Sequence, residues 1–229
     1  MTEESHRQAP GAAGRVTPAR SLRKVPVQAR GHQRVEAILD AAAAIIGEIG
    51  VEAATTNAIA LRAGAAKGSL YQFFPSKDAI VAALAARYAA QVQALHDRTF
   101  PADPRAVPLD RIIAGVVDPL AEFHDANPAY RHVLNLAPSR RGPATDAVVR
   151  KEWEALNRSL VARVTGILAT LAPHLADADC VRHATITVTA GEALLALRDD
   201  VPRSRRAAVL ADLKRMLLAY LAPLVTSPA

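Results

Sequence analysis

From Gln33 to Ile49, apolar residues return at steps of three and four: Val35, Ile38, Leu39, Ala42, Ile45, Ile46 and Ile49. That spacing puts them on one face and predicts an amphipathic helix closed by Gly50. Two shorter stripes follow, Ile59-Ala60-Ala63 and Leu70-Phe73-Phe74, with Gly64 between them. Neither is long enough to form a stable helix alone, so both must pack on the first helix and on each other. A longer pattern then runs from Lys77 to about Arg98 through Ile80, Val81, Leu84, Tyr88, Val92 and Leu95.

Phe100 to Pro108 holds three prolines and reads as a loop. A helix from Leu109 to about Ala126 is expected to bend at Pro119. Asn127-Pro128 is a cap and first residue for the next helix, through Tyr130, Val133 and Leu136. Pro138 to Pro143, with Arg140, Arg141 and Gly142, reads as an exposed basic loop. Ala144 to Leu171 carries Val148, Trp153, Leu156, Leu160, Val164, Ile167 and Leu168 at helical spacing and ends before Pro173. Ala184 to Thr189 alternates like a strand, but it has no second strand to pair with and helical neighbours on both sides. The segment from Ala176 to about Asp199 is therefore read as helix. Arg203 to Ala222 is a last helix, with Leu213, Met216, Leu217, Tyr220, Leu221 and Leu224 crowding one side. The expected fold class is all-α.

Composition adds three limits. Aromatic residues make up only 4% of the 229, which favours helices over sheets. The net charge is +6, yet residues 1–34 hold seven Arg/Lys against two Glu, a net of +5, so the excess belongs to an N-terminal arm. Residues 1–30 mix Pro, Gly, Ala, Ser and Arg without periodicity and are expected to be disordered. Such an arm beside a nucleic-acid reader can place Arg20, Arg23, Lys24 and Arg30 in a minor groove, or act only as a solvated tail. Cys180 is the single cysteine, so no intramolecular disulfide is possible. No apolar run approaches the roughly 20 residues of a membrane span, and no secretory leader is visible. A cytoplasmic protein is expected.

The stretch Thr55 to Lys77, TTNAIALRAGAAKGSLYQFFPSK, organises the rest. Two short helices joined through a glycine turn have the helix-turn-helix layout, whose second helix enters the DNA major groove. Thr55 and Thr56 can cap the first helix, and Ser76 the helix after Pro75. Lys77 then falls in a first turn, where the helix dipole disfavours a cation unless an anion is near. A phosphate would supply one, and a solvated lysine is the alternative. Residues 33 to 88, with EIGVEAATTNAIA followed by LRAGAAKGSLYQFFPSKDAIVAAL, resemble the DNA-binding domain of the TetR family of bacterial transcriptional regulators. The departures are Ala65 and Ala66, where a valine and a capping hydroxyl residue are commoner.

The resemblance implies a disordered basic arm (1–30), a helix-turn-helix head (31–76) and a helical ligand-binding and dimerisation body (77–229). Facing the DNA it implies Lys67, Gly68, Ser69, Tyr71 and Gln72, with Thr56, Asn57 and Lys77 holding phosphates. The residue chemistry agrees. Lysine neutralises phosphate or donates to guanine, glycine lets the backbone approach, hydroxyls reach phosphate oxygens, and glutamine pairs with adenine. The ring of Tyr71 can equally cover the helix pair. Partners implied are double-stranded operator DNA, a second copy joined through the last two helices, and a small-molecule effector. No cofactor, metal or membrane is implied. Candidate effector liners are Tyr88, Phe123, His124, Trp153, His183 and Thr187, and the shortage of charge inside the helices suggests an apolar or weakly polar ligand. Two other readings stay open. One is a ligand-independent DNA-binding protein on the same scaffold, distinguished by a body without an enclosed cavity of roughly 300 Å3. The other is an all-helical enzyme, for which no phosphate loop, GxSxG, HExxH or paired-cysteine motif is present. Cys180 and His183 share a helix face, but two ligands do not make a metal site.

Overall fold

The computed structural model describes residues 29–134 and 147–226. Among these residues there are helices and turns but no strand, so the chain is all-α. The head consists of α1 (Ala29–Ala53), α2 (Thr56–Arg62) and α3 (Lys67–Phe73). The connector is α4 (Lys77–Thr99). The body adds α5 (Leu109–Ala126), α6 (Pro128–Leu134), α7 (Ala147–Leu171), α8 (Asp177–Asp200) and α9 (Arg203–Val225).

The element ends follow local chemistry. Thr55 Oγ1 accepts from the Ala58 N–H at 3.2 Å and Ser76 Oγ from Ala79 N–H at 3.2 Å, capping α2 and α4. Gly64 turns the chain with φ +62°, a conformation that costs glycine nothing. Gly50, with φ +79° and ψ 170°, breaks the helical path inside α1, so regular helix ends there as the spacing predicts. Ile49 departs from expectation. It lies 54% exposed, because the face it was assigned to ends one turn earlier. The Asn127 amide donates back to the Phe123 carbonyl at 2.8 Å and so finishes α5, while Pro128 opens α6. α5 passes through Pro119, and α9 through Pro223, as single helices. The strand-like ATITVT lies wholly inside α8, where Thr185 and Thr187 donate to the carbonyls of Val181 and His183, both at 2.8 Å. Leu136, the basic Pro138–Pro143 loop and residues 1–28 of the arm lie outside the described residues.

Two cores hold the elements together. The first joins the head to the connector: Ile38, Ile46, Ile59, Leu70 and Phe74 pack with Ile80, Leu84 and Tyr88, then with Tyr130, Val133 and Trp153. The second lies farther down the body, among Ile113, Val117, Leu168, Cys180, Leu195, Leu213 and Leu217. α1 rests chiefly on α6, where Gly47 allows close approach. A Cβ there would come within 3.2 Å of Pro128 Cβ and 3.3 Å of the Ala129 nitrogen.

Candidate nucleic-acid interface and effector cavity

The head presents α3 outward on a fixed base. Leu70 and Phe73 are buried against α1 and α4, which fixes the rotation of the short helix. That leaves Lys67, Gly68 and Gln72 exposed, together with Asn57 on α2. The side chains of Lys67, Gln72 and Asn57 make no hydrogen bond or ion pair among the described residues. Gly68 has nothing within 4 Å of where a Cβ would stand. Ala66 precedes α3 with no side-chain cap, as its methyl group requires.

The other candidates are already engaged. The hydroxyls of Thr56 and Tyr71 lie 3.0 Å apart, one donating to the other, and join the start of α2 to α3. Arg34 of α1 donates to Ser69 Oγ at 3.1 Å. The Lys77 ammonium donates to the carbonyls of Val51 and Glu52 at 3.0 and 3.2 Å, so the counter-charge expected at its helix start is the C-terminal end of α1. Sequence reasoning missed both Arg34 and this role of Lys77, because each depends on contacts between elements far apart in the chain.

Besides an open, polar hollow of about 510 Å3 lined by Asp125, Arg198, Arg203, Arg206 and Ala207, the body holds two smaller, mainly apolar cavities. The larger of these two, about 110 Å3, is lined by apolar side chains such as Phe100, Ile113, Val117, Val164, Leu168 and Leu217. Thr187 lines it too, but its hydroxyl is already given to its own helix. The smaller, about 60 Å3, sits at the seam of the two cores and is lined by Val92, His96, His124, Tyr130, Trp153 and Asn157. Leu120, Leu160, Glu192 and Leu195 border both, so the two lobes adjoin. Of the six predicted liners, His124, Trp153 and Thr187 face these lobes. Tyr88 and Phe123 instead pack edge-to-face, with centroids 6.1 Å apart, in the aromatic cluster around Tyr130. His183 bonds the Tyr220 hydroxyl at 2.7 Å across α8 and α9, away from either lobe. Cys180 is buried in the second core, and among the described residues no group of His, Cys, Asp or Glu could hold a metal.

The residue the sequence reading passed over is His96. It lies four and eight residues after Val92 and Tyr88, so the helical spacing could have placed it inside. It is 2% exposed, and neither ring nitrogen has a hydrogen-bond partner among the described residues. The indole Nε1 of Trp153 is likewise buried and unpartnered there. An unmet buried polar atom costs about 1–3 kcal/mol. Burial, reinforced by the Arg163 guanidinium and opposed by Asp97, lowers the His96 pKa to about 4, so the ring is neutral at pH 7. His124 is engaged through one nitrogen: its Nδ1 lies 2.6 Å from Asp199 Oδ2. Asp199 also accepts from Arg198 at 2.9 Å, and Asp125 bridges Arg198 and Arg206. Burial alone would raise the Asp199 pKa, but the hydrogen bonds and charges of His124 and Arg198 outweigh it and hold the carboxyl below its ordinary range. This network ties the ends of α5 and α8 to the start of α9.

The head and body each match a family model. Residues 38–84 match that of bacterial regulatory proteins of the tetR family, and residues 108–221 match the tetracyclin repressor-like C-terminal domain. The chain belongs to the TetR family. Within that family it is 35% identical over 102 residues to the HTH-type transcriptional repressor KstR of Mycobacterium tuberculosis. The match covers 42% of this chain and 46% of KstR, so less than half of that relative is spanned. A TetR-family regulator from Streptomyces coelicolor superposes with a TM-score of 0.64 at 23% identity, covering 86% of this chain and 99% of that one. SmeT, solved with triclosan, superposes at 0.58 and 22% identity, over 86% and 98%. At these identities the likeness is one of fold. No described helix is long and apolar enough to cross a membrane.

Proposed function

We propose that this chain is a cytoplasmic homodimeric repressor that holds a palindromic operator with residues 31–76 and is released when a small molecule enters residues 77–229. The observation that carries the reading is the outward face of α3, where Lys67, Gly68 and Gln72 stand exposed with no internal partner. Thr56, Tyr71 and Ser69 offer hydroxyls beside them, and Asn57 flanks them on α2. Lys77 holds α1 and α4 together beneath this surface. One such helix reads few base pairs, so useful affinity requires two heads about one DNA turn apart. A face for the second copy is available. Of the six exposed large hydrophobic residues described, four lie on the last two helices: Val181, Ile186, Leu197 and Met216. KstR is a repressor, and SmeT binds triclosan, which supports repression and small-molecule release here.

The size of the cavities favours a second reading. At about 110 and 60 Å3, both lobes are smaller than the roughly 300 Å3 typical of small-molecule sites. A ligand-independent repressor on this scaffold would look the same. Fluorescence anisotropy with DNA from upstream of the protein's own coding region tests the common part. Tight, salt-sensitive binding that weakens in Lys67→Ala, with the salt slope reduced by about one, is expected. No preference for any duplex over random DNA would defeat both readings. Release of bound DNA by a small molecule then separates them.

A further inference from the structure

We infer that the effector is a neutral, elongated apolar molecule bearing a single hydroxyl or carbonyl oxygen at one end, seated with that oxygen between His96 and Trp153. The inference rests on the reading of the body as an effector site and specifies its chemistry. The larger lobe is apolar apart from Thr187, whose hydroxyl donates to the His183 carbonyl, and Glu192, which accepts from Asn157 at 3.0 Å. It selects an apolar body by exclusion of water alone. The smaller lobe differs in kind. His96 and Trp153 are both more than nine-tenths buried, both line it, and both carry ring N–H or nitrogen atoms without partners among the described residues.

The donor pattern chooses the head group. The indole N–H can only donate, so the ligand must offer an acceptor oxygen. A neutral imidazole has one donor and one acceptor nitrogen, so a hydroxyl can satisfy it in either sense and a carbonyl in one. Charged heads fit poorly. The carboxylate of Glu192 borders both lobes and repels an anion. The Arg163 guanidinium near His96 is already paired with Asp97 and offers no free cation. A cationic head accepts no hydrogen bond and would leave the Trp153 N–H unmet, and the Glu192 carboxylate that could attract it already accepts from Asn157 at 3.0 Å.

Trp153 is the only tryptophan in the chain, so its emission reports this lobe directly. The test titrates full-length protein with octanol, a methyl ketone of the same length, octanoate, octylamine and octane, and repeats the series by calorimetry in His96→Leu and Trp153→Phe. Octanol and the ketone are expected to change Trp153 emission and to bind at least tenfold more tightly than octanoate or octylamine. His96→Leu should weaken octanol about fivefold while leaving octane unchanged, and Trp153→Phe should weaken both oxygen-bearing probes. Equal affinity regardless of head group, or a preference for octanoate, overturns the inference while leaving an effector site in place. No binding of any probe overturns the inference together with the effector reading. DNA binding by each variant confirms that it is folded.

Discussion

A glycine inside a seven-residue helix weakens it unless something needs the room. Gly68 has no neighbour within 4 Å of a built Cβ, so nothing inside the protein requires it. Gly68→Ala should therefore leave the melting temperature unchanged or raise it, by up to about 1 kcal/mol of stability. On the proposed reading the same variant should lose DNA affinity, because its methyl group would come between the backbone and the duplex. Thermal melts and anisotropy on one preparation check both halves. His96 gives the opposite case, a polar group inside the protein that stability alone does not favour. Well above pH 6.5 the ring is neutral whether the chain is folded or not. As pH falls towards 4 the unfolded chain takes up a proton that the folded one refuses, so stability declines across that window. The loss attributable to His96 should be on the order of 3 kcal/mol. Chemical denaturation at pH 7 and pH 4.5 should show a smaller difference between the two pH values in His96→Leu than in the parent chain. The outward residues of α3 were legible in the sequence, since their exposure follows once Leu70 and Phe73 turn inward. The engagement of Lys77 and the solitude of Trp153 Nε1 were not, since each is a fact about contacts between distant segments.

At the scale of elements, boundaries were legible wherever a cap or a proline marked them: Thr55, Ser76, Pro128 and Pro173. The fate of ATITVT shows why local pattern alone was insufficient. Its β-branched residues favour a strand only where a partner strand exists, and in α8 their hydroxyls are satisfied by carbonyls one turn back. No pattern in the sequence announced the ion network at the α5, α8 and α9 ends, because its members are exposed-looking residues at helix termini. Asp199 is its centre, buried and shared by His124 and Arg198. Asp199→Asn should cost about 3–5 kcal/mol, since it removes the carboxylate that buried Arg198 and His124 share. Asp125→Asn should cost less, because that carboxylate is 45% exposed. Urea midpoints for the two variants decide the order. Gly47 makes a parallel point for α1 and α6. Gly47→Val should destabilise by about 1–3 kcal/mol, since its branched side chain has no room against Pro128.

For the whole molecule, the sequence reading divided the chain into a head, a long connector and a helical body; the first core crosses that division, packing head and connector residues with Tyr130, Val133 and Trp153. It conveyed no sense of how little space the body encloses. Assembly is the property that belongs to this scale. Ile186 and Leu197 lie three helical turns apart on one face of α8, both exposed. Ile186→Arg should give a monomer by sedimentation and lower affinity for a full palindrome by about a hundredfold or more, with little change for a half-site. A dimer that survives the substitution would move the interface elsewhere.

Lys77 is the first residue of α4, yet its ammonium grips the last carbonyls of α1. Farther along, Arg87 of the same helix reaches Asp40 and Glu36 of α1. These contacts, with the core that α1 and α4 share, brace the joint at Pro75-Ser76 against hinging. On the proposed reading, a swing of α4 in the body would carry α3 with it.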